Sequence, residues 1–439
     1  MSSSRRIDYL VQPGGKLAGR LRVAGDKSIS HRSVMLGSLA DGTTHVTGLL
    51  EGEDVLCTLA AFRAMGVCAQ GPDKGRLTVH GVGLRGLKAP ATPLDMGNSG
   101  TAMRLMAGIL AGQPFDSALI GDESLSKRPM KRVSDPLGQM GAVIETADGG
   151  RPPLRIRGGK SLHGIHYRLP MPSAQVKSSV LLAGLFAEGE TATTEPAPTR
   201  DHTERMLRGF GYDVQVSGAT ARLRGGGRLR ACDVDVPADI SSAAFFLVGA
   251  SIAPGSDLLL EHVGINPTRI GVLNILRLMG ADLDIHNVRE VGGEPVADIR
   301  VRAAELHGIR IPEDQVPLAI DEFPALFVAA ACAKGETVLS GAEELRVKES
   351  DRIAVMAQGL KRLGVDLEET PDGIIIRGGL LQGGEIDSNG DHRIAMSFSM
   401  AALRATGEIR VRDCKNVDTS FPGFAQLAAN VGLRVAVQA

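Results

Sequence analysis

The sequence predicts an α/β fold: six repeated helix–strand units, grouped as two domains of three units each. Three observations carry that reading. First, a small-residue step, Ala-(x)-Gly, closes an apolar helical run and opens a strand at Gly42, Gly112, Gly189, Gly255, Gly335 and Gly407, a nearly even spacing along the chain. Second, a bulky apolar residue followed by glycine ends a helix at Met65-Gly66, Met140-Gly141, Phe210-Gly211, Met279-Gly280, Leu363-Gly364 and Val431-Gly432, with the same spacing. Glycine after a helix supplies the left-handed C-terminal cap, and two independent markers with one period point to internal repetition. Third, 439 residues exceed what one core serves; at roughly 150 residues per domain the length gives two or three.

Each unit reads helix, strand, helix, strand, usually with one further strand. The fifth unit shows it in order: helix FPALFVAAACA, strand GETVLSG, helix ESDRIAVMAQGLKRLG, then strands VDLEET and GIIIRG. The second helix sets Ile353, Met356, Leu360 and Leu363 at helical spacing, one buried stripe. The first helices are apolar on nearly every side, as in VLLAGLFA and AAFFLVGASIA, so they belong at the centre of a domain. A single βα unit cannot bury its own apolar face, and the hinge between the third and fourth units falls near Pro237. The predicted domains are residues 25–237, and residues 1–24 with 238–439.

Composition excludes several functions. Lys+Arg 49 against Asp+Glu 50 leaves a net charge of −1, so binding nucleic acid through bulk electrostatics is not expected. Aromatics are 3% with no Trp, too few for base- or sugar-stacking platforms. Glycine is 55 of 439, about one in eight against a usual ~7%. The five cysteines, Cys57, Cys68, Cys232, Cys332 and Cys414, are scattered with no C-x-x-C pair, which fits a reducing cytoplasm and neither a disulfide framework nor a zinc site. The start MSSSRRIDYL lacks an apolar signal core, and no apolar run reaches ~18 residues, so no membrane association is expected.

The chemistry concentrates at helix starts. Units one to three open their first helices with GDKSISHR, GNSGTAMR and PSAQVKSS; units four to six place Asp239, Asp321 and Asp391 there. Helix N-termini attract anions through free N–H groups and the dipole. Taken singly, each aspartate also reads as an ordinary N-cap, and GNSGTAMR as a glycine-rich turn. Neither a Walker loop nor a dinucleotide fingerprint is present. Charged clusters precede the second helices: SKRPMKR, TRDHTER, NPTRI and RVKESDR. Such a run is as often a solvated face as a site, but arginines in number suit a ligand with more than one anionic group. The histidines show no metal spacing and no Ser/His/Asp set stands out, so the expectation is acid–base chemistry without a metal or cofactor, on a multiply anionic small molecule.

These motifs are specific. GDKSISHR, GNSGTAMR, SAQVK, LRVKESDR and DHRIAMSF, in that order over about Leu21 to Leu427, resemble the signatures of the 5-enolpyruvylshikimate-3-phosphate synthase family, and SAQVK, RDHTE, GDKS and NPTR resemble its class II, glyphosate-tolerant bacterial branch. The resemblance implies two domains of three βαβαββ units (an inside-out α/β barrel), two crossovers near 20–25 and 237–243, the stretch before the first crossover joined to the C-terminal half, and an active site in the interdomain cleft. It implies transfer of the enolpyruvyl group of phosphoenolpyruvate to the 5-hydroxyl of shikimate 3-phosphate, with loss of phosphate, on the way to chorismate and the aromatic amino acids.

Carried over by residue, Lys27, Ser28, Arg32, Ser173, Ala174, Gln175, Arg200, Asp321 and Lys348 would meet shikimate 3-phosphate, and Lys27, Gly100, Arg128, Gln175, Arg352 and Arg393 would meet phosphoenolpyruvate. Asp321 would take the 5-hydroxyl proton and Glu349 would protonate the methylene carbon, with Lys27 the third catalytic candidate. A cytoplasmic monomer is expected, with glyphosate as a candidate inhibitor. Four positions depart from the family pattern. Thr419 stands where many members carry Lys, Glu344 where many carry Asn, and Leu105 replaces a common Pro. Gly100 is the residue of glyphosate-sensitive enzymes, which sets it against the class II motifs. Two other readings compete. A UDP-N-acetylglucosamine enolpyruvyl transferase would usually carry a Cys in the stretch that here reads GDESLSKR, and a sliding-clamp ring would need basic inner helices.

Overall fold

The computed structural model describes residues 7–438. The described chain divides into two compact units, one of residues 25–236 with Val291–Glu294, the other of residues 7–24, 237–290 and 295–438. The division differs from the predicted domains at two points. Pro237 groups with the second unit, where the next residue is fixed: Ala238 N donates to His262 O at 2.9 Å and Ala238 O accepts from Gly264 N at 2.9 Å. Val291–Glu294, a hairpin turn placed by sequence in the second domain, groups with residues 25–236, where Glu294 Oε1 lies 2.7 Å from His202 Nδ1.

Helices α1 (Lys27–Leu39), α2 (Glu53–Ala64), α3 (Gly100–Ala111), α4 (Lys131–Gln139), α5 (Ala174–Gly184) and α6 (His202–Gly209) belong to the unit Gly25–Val236. Its three sheets repeat one strand order. Leu94–Asp95 pairs in parallel with Ser117–Ile120, which pairs antiparallel with Arg151–Arg157 and through it with Val143–Ala147. His166–Arg168, Glu190–Thr194, Thr220–Arg224 and Val214–Ser217 follow the same order. In the third sheet Asp41–Thr47 takes its parallel neighbour from Val234–Asp235, at the far end of the unit's sequence, so the unit closes on itself. This is the βαβαββ repeat.

Helices α7 (Ile240–Ile252), α8 (Gly271–Leu278), α9 (Phe323–Cys332), α10 (Arg352–Arg362), α11 (His392–Ala401), α12 (Val417–Ser420) and α13 (Phe424–Asn430) belong to the other unit. Its sheets follow the same plan, with the N-terminal strands filling two places. Ala18–Leu21 lies parallel to Asp257–Gly264, and Asp8–Val11 lies between Ile409–Arg412 and Val435–Gln438. The fifth repeat has three strands, Glu336–Leu339, Gly373–Arg377 and Asp366–Thr370, and Arg310 bridges Val338 where the fourth would stand.

Sequence explains the centre of each unit. Every residue of α7 is buried, its three serines included, as a helix apolar on nearly every side requires. Helices α7, α9 and α11 pack on one another, and beside them Tyr9, Phe245, Phe246, Phe421 and Phe424 form a ring cluster with centroids 5.5 to 6.4 Å apart. Five of the chain's few aromatics are thus core residues, an apolar role with no ligand face. In the other unit α3 packs on α5, and Gly108 makes the approach possible: a Cβ there would stand 2.2 Å from Ser179 O. Consequently the starts of α3 and α5 come side by side.

Candidate active site

Each first helix begins where its sequence supplies a cap. Asp26 accepts from Ile29 N at 2.8 Å and starts α1, Ser99 accepts from Ala102 N at 3.1 Å and starts α3, and Ser173 accepts from Val176 N at 3.4 Å and starts α5. Asp239 and Asp391 cap α7 and α11. Asp321 does not cap α9, contrary to its reading as a helix-start cap. Pro324 sets the helix start, Glu322 holds the N-cap place, and Asp321 lies outside with its carboxylate turned to Arg352 and Lys348.

In the unit Gly25–Val236 the α3 and α5 starts converge. Arg104 Nη1 donates to Gln175 Oε1, and Gln175 Nε2 donates to Thr101 Oγ1 at 2.9 Å. Arg128 Nη2 donates to Asn98 Oδ1 at 2.7 Å, beside Gly100. A Cβ on Gly100 would lie 3.2 Å from Arg104 Nη1 and 3.3 Å from Arg128 Nη1, so both guanidinium groups lean on the bare backbone at the helix start. Gly100, Arg128 and Gln175 therefore form one patch, with Arg104 as a member that sequence reasoning passes over. Its signal is present, because Arg104 stands four residues after Gly100, on the same helix face.

Arg32 holds a second place in that unit. It is buried, with Nε on Thr203 Oγ1 at 2.7 Å, Nη2 on Ser178 Oγ at 2.8 Å and Nη1 on Ser28 O at 2.9 Å, so it ties α1 to α5 and α6. Burial first, and Arg200 nearby, pull its pKa to about 10 against the pull of Glu204 and other carboxylates, which leaves it charged at neutral pH. Next to it Lys177 is buried between Glu204 at 2.8 Å and Glu195 at 3.1 Å; burial lowers its pKa, and the two carboxylates overcome that and raise it. Lys27 is paired with Asp54 at 2.8 Å, a partner on α2 that no local pattern announces. Ser28, Ser173, Ala174 and Arg200 are part-exposed, with the Ser28 carbonyl held by Arg32.

The other unit gathers Asp321, Lys348, Glu349, Arg352 and Arg393. Arg352, 1% exposed, is their hub. Its Nη1 donates to Asp321 Oδ1 at 3.3 Å, Nη2 to Glu349 Oε2 at 2.7 Å, and Nε to Asp391 Oδ2 at 2.9 Å. Burial lowers the Arg352 pKa and the three carboxylates, Asp391 first, raise it further than burial lowers it. Lys348 Nζ lies 3.4 Å from Asp321 Oδ1 and 2.8 Å from Glu344 Oε1. Arg393 Nη1 donates to the backbone oxygen of Asp321 at 3.0 Å. Two part-exposed carboxylates on one buried cation, with a lysine on one of them, can take up and release protons while the cations hold anions. At the departing positions, Glu344 is engaged by Lys348, Thr419 Oγ1 donates to Asn416 O at 2.7 Å, and Leu105 is buried in α3.

The family model for EPSP synthase (3-phosphoshikimate 1-carboxyvinyltransferase) matches residues 11–427, nearly the whole chain. The chain belongs to the EPSP synthase family. A 3-phosphoshikimate 1-carboxyvinyltransferase of Methylococcus capsulatus is 66% identical over 431 residues, covering 98% of this chain and 99% of the relative. One of Nitrosococcus oceani is 66% identical over 433 residues, covering 99% and 98%. Among solved structures, an EPSP synthase of Acinetobacter baumannii matches with a TM-score of 0.91 at 59% identity, covering 99% of this chain and 100% of that one. The chain is accordingly a transferase of the shikimate pathway, which feeds aromatic amino acid biosynthesis, and its mixed α/β architecture is that of EPSP synthases. No described helix is long and apolar enough to cross a membrane, and no group of three or more His, Cys, Asp or Glu suited to a metal ion occurs among the described residues.

Proposed function

We propose that this chain transfers the enolpyruvyl group of phosphoenolpyruvate to the 5-hydroxyl of shikimate 3-phosphate through the residues above, with Asp321 and Glu349 as its proton carriers. The observation that supports it is the pair of carboxylates, Asp321 and Glu349, held on two nitrogens of the single guanidinium of Arg352. In the addition step Asp321 takes the 5-hydroxyl proton, the oxygen bonds to C2 of phosphoenolpyruvate, and Glu349 gives a proton to C3. The resulting ketal keeps its phosphate. In elimination Glu349 takes a proton back from the new methyl group, the C2–O bond to phosphate breaks, and the proton held by Asp321 leaves with the phosphate as the enol ether forms. Lys348, beside Asp321, assists proton transfer and holds shikimate 3-phosphate.

Arg128, Arg352 and Arg393 offer planar forks to the carboxylate and phosphate of phosphoenolpyruvate, and Gly100, Gln175 and Lys27 serve the same substrate. Lys27, Ser28, Arg32, Ser173, Ala174, Gln175 and Arg200 serve shikimate 3-phosphate. Glyphosate, a small anionic phosphonate, competes with phosphoenolpyruvate for the Gly100 patch, and the working species is a cytoplasmic monomer. The test is phosphate release from the purified protein with shikimate 3-phosphate and phosphoenolpyruvate together. Release that needs both, and falls by a factor of about 10² or more in Glu349→Gln and Asp321→Asn with little change in KM, supports the reading; full turnover in either variant removes that residue from its role.

A further inference from the structure

We propose that Glu322 is a positioning residue for Arg393, held in place by a buried relay of Ser241, Arg269 and Asp239. This rests on the reading that Arg393 binds phosphoenolpyruvate, and adds what keeps it aimed.

Glu322 occupies the N-cap place of α9, yet its side chain makes no capping bond, unlike Asp239 at α7 and Asp391 at α11. A carboxylate 3% exposed needs compensation from another quarter. It accepts from Ser241 Oγ, and its Oε1 stands 3.8 Å from Arg393 Nη1. Ser241 Oγ in turn accepts from Arg269 Nη2 at 2.6 Å, and the same Nη2 donates to Asp239 Oδ1 at 3.0 Å. Arg269 is itself only 4% exposed. The serine hydroxyl thus accepts a hydrogen bond on one side and donates its own on the other, which fixes its rotor and points the Glu322 carboxylate.

The relay ends on a nitrogen with two anchors. Arg393 Nη1 donates to Asp321 O and is attracted by Glu322 Oε1, so the guanidinium is set by the turn preceding α9 from two sides. At 3.8 Å the carboxylate attracts the guanidinium without saturating its donors, and these stay available to an anion. An unanchored arginine would lose rotamer freedom on binding; holding it in advance removes part of that cost. A carboxylate close to an anion site also repels the anion, so charge and positioning act with opposite sign. The hydroxyl separates them, because Ser241→Ala disturbs the aim while leaving the charge.

The experiment measures KM for both substrates and kcat in Glu322→Gln, Ser241→Ala and Arg393→Gln, with the thermal midpoint of each. Positioning predicts that Glu322→Gln and Ser241→Ala both raise KM for phosphoenolpyruvate, by about tenfold and severalfold, with KM for shikimate 3-phosphate unchanged. Arg393→Gln should raise the same KM by more. A lower KM in Glu322→Gln, or no change in both relay variants while Arg393→Gln shows its loss, overturns the positioning role alone. No change in Arg393→Gln overturns the reading of Arg393 itself. Equal shifts in both substrates' KM would show a general loss of structure and also overturn the proposal.

Discussion

Arg352 and Asp391 form a fully buried ion pair, Nε to Oδ2 at 2.9 Å, and the same aspartate caps α11 by accepting from Arg393 N at 2.9 Å. One carboxylate therefore locks the hub of the acid–base cluster and starts the helix that carries the neighbouring arginine. Burial raises the Asp391 pKa and Arg352 lowers it, and the net direction is down. A carboxyl with a lowered folded-state pKa contributes stability above its unfolded value near 3.9, and loses it as pH falls through the folded value. Asp391→Asn keeps the cap and removes the charge, leaving Arg352 without its fully buried partner, the carboxylate that acts on it most strongly. The expected loss is about 3 kcal/mol, with a thermal midpoint lower by about 6 to 12 °C. Calorimetry at pH 7 checks it, and a drop under about 2 °C would mean that Glu349 and Asp321 suffice.

Gly100→Ala separates binding from stability. The backbone there is ordinary helix without positive φ, so alanine is conformationally welcome and stabilises by about 0.5 to 1 kcal/mol. The new methyl group would press on the ends of Arg104 and Arg128, at 3.2 and 3.3 Å, and both must give by a few tenths of an ångström. The outcome is a severalfold rise in KM for phosphoenolpyruvate and a larger rise in the glyphosate inhibition constant, with an unchanged or higher thermal midpoint. Steady-state inhibition against phosphoenolpyruvate reads it, and equal glyphosate sensitivity in both proteins would count against an Arg128 shift.

If Lys348 holds shikimate 3-phosphate as proposed, its pairing with Glu344 competes with that substrate. The pair is 2.8 Å apart with Glu344 39% exposed, which puts its strength at about 0.2 to 1 kcal/mol. Glu344→Asn removes one of the two carboxylates on Lys348, leaving Asp321 at 3.4 Å, and should lower KM for shikimate 3-phosphate by up to about fivefold, more at low ionic strength. Titration at two salt concentrations tests this, and a weaker affinity would show that Glu344 holds Lys348 ready.

The repeat and the helix starts are legible in the sequence because each is local: a glycine step, a cap, an apolar run. Asp26, Ser99 and Ser173 fall where short polar side chains precede apolar periodicity. An acidic residue before an apolar run looks the same whether it caps or not, so Asp321 reads as a cap; Pro324 is the sign that α9 starts a residue later. The partners are not legible. Asp54 under Lys27, Thr203 on Arg32 and Asp391 on Arg352 lie 27, 171 and 39 residues away, and only the packed helices bring them together. The family resemblance suggests the roles of single residues, while geometry shows who holds whom.

His31 gives the sharpest pH signature outside the acid–base cluster. It is wholly buried on α1, with Nδ1 2.8 Å from Thr58 Oγ1, and burial, with Lys27 and Arg32 close by, lowers its pKa to about 3. The unfolded chain takes up the proton near 6.5 and the folded protein does not until about pH 3. Stability from this group is therefore full above 6.5 and declines as pH falls towards 3, by about 1.4 kcal/mol per pH unit once the unfolded histidine is charged. Replacing His31 by Gln removes that slope, whatever it costs in packing at neutral pH. Denaturant unfolding of both proteins between pH 7 and 4 measures it: the difference in stability should narrow steadily with acid, and a constant difference would show that His31 is not held neutral.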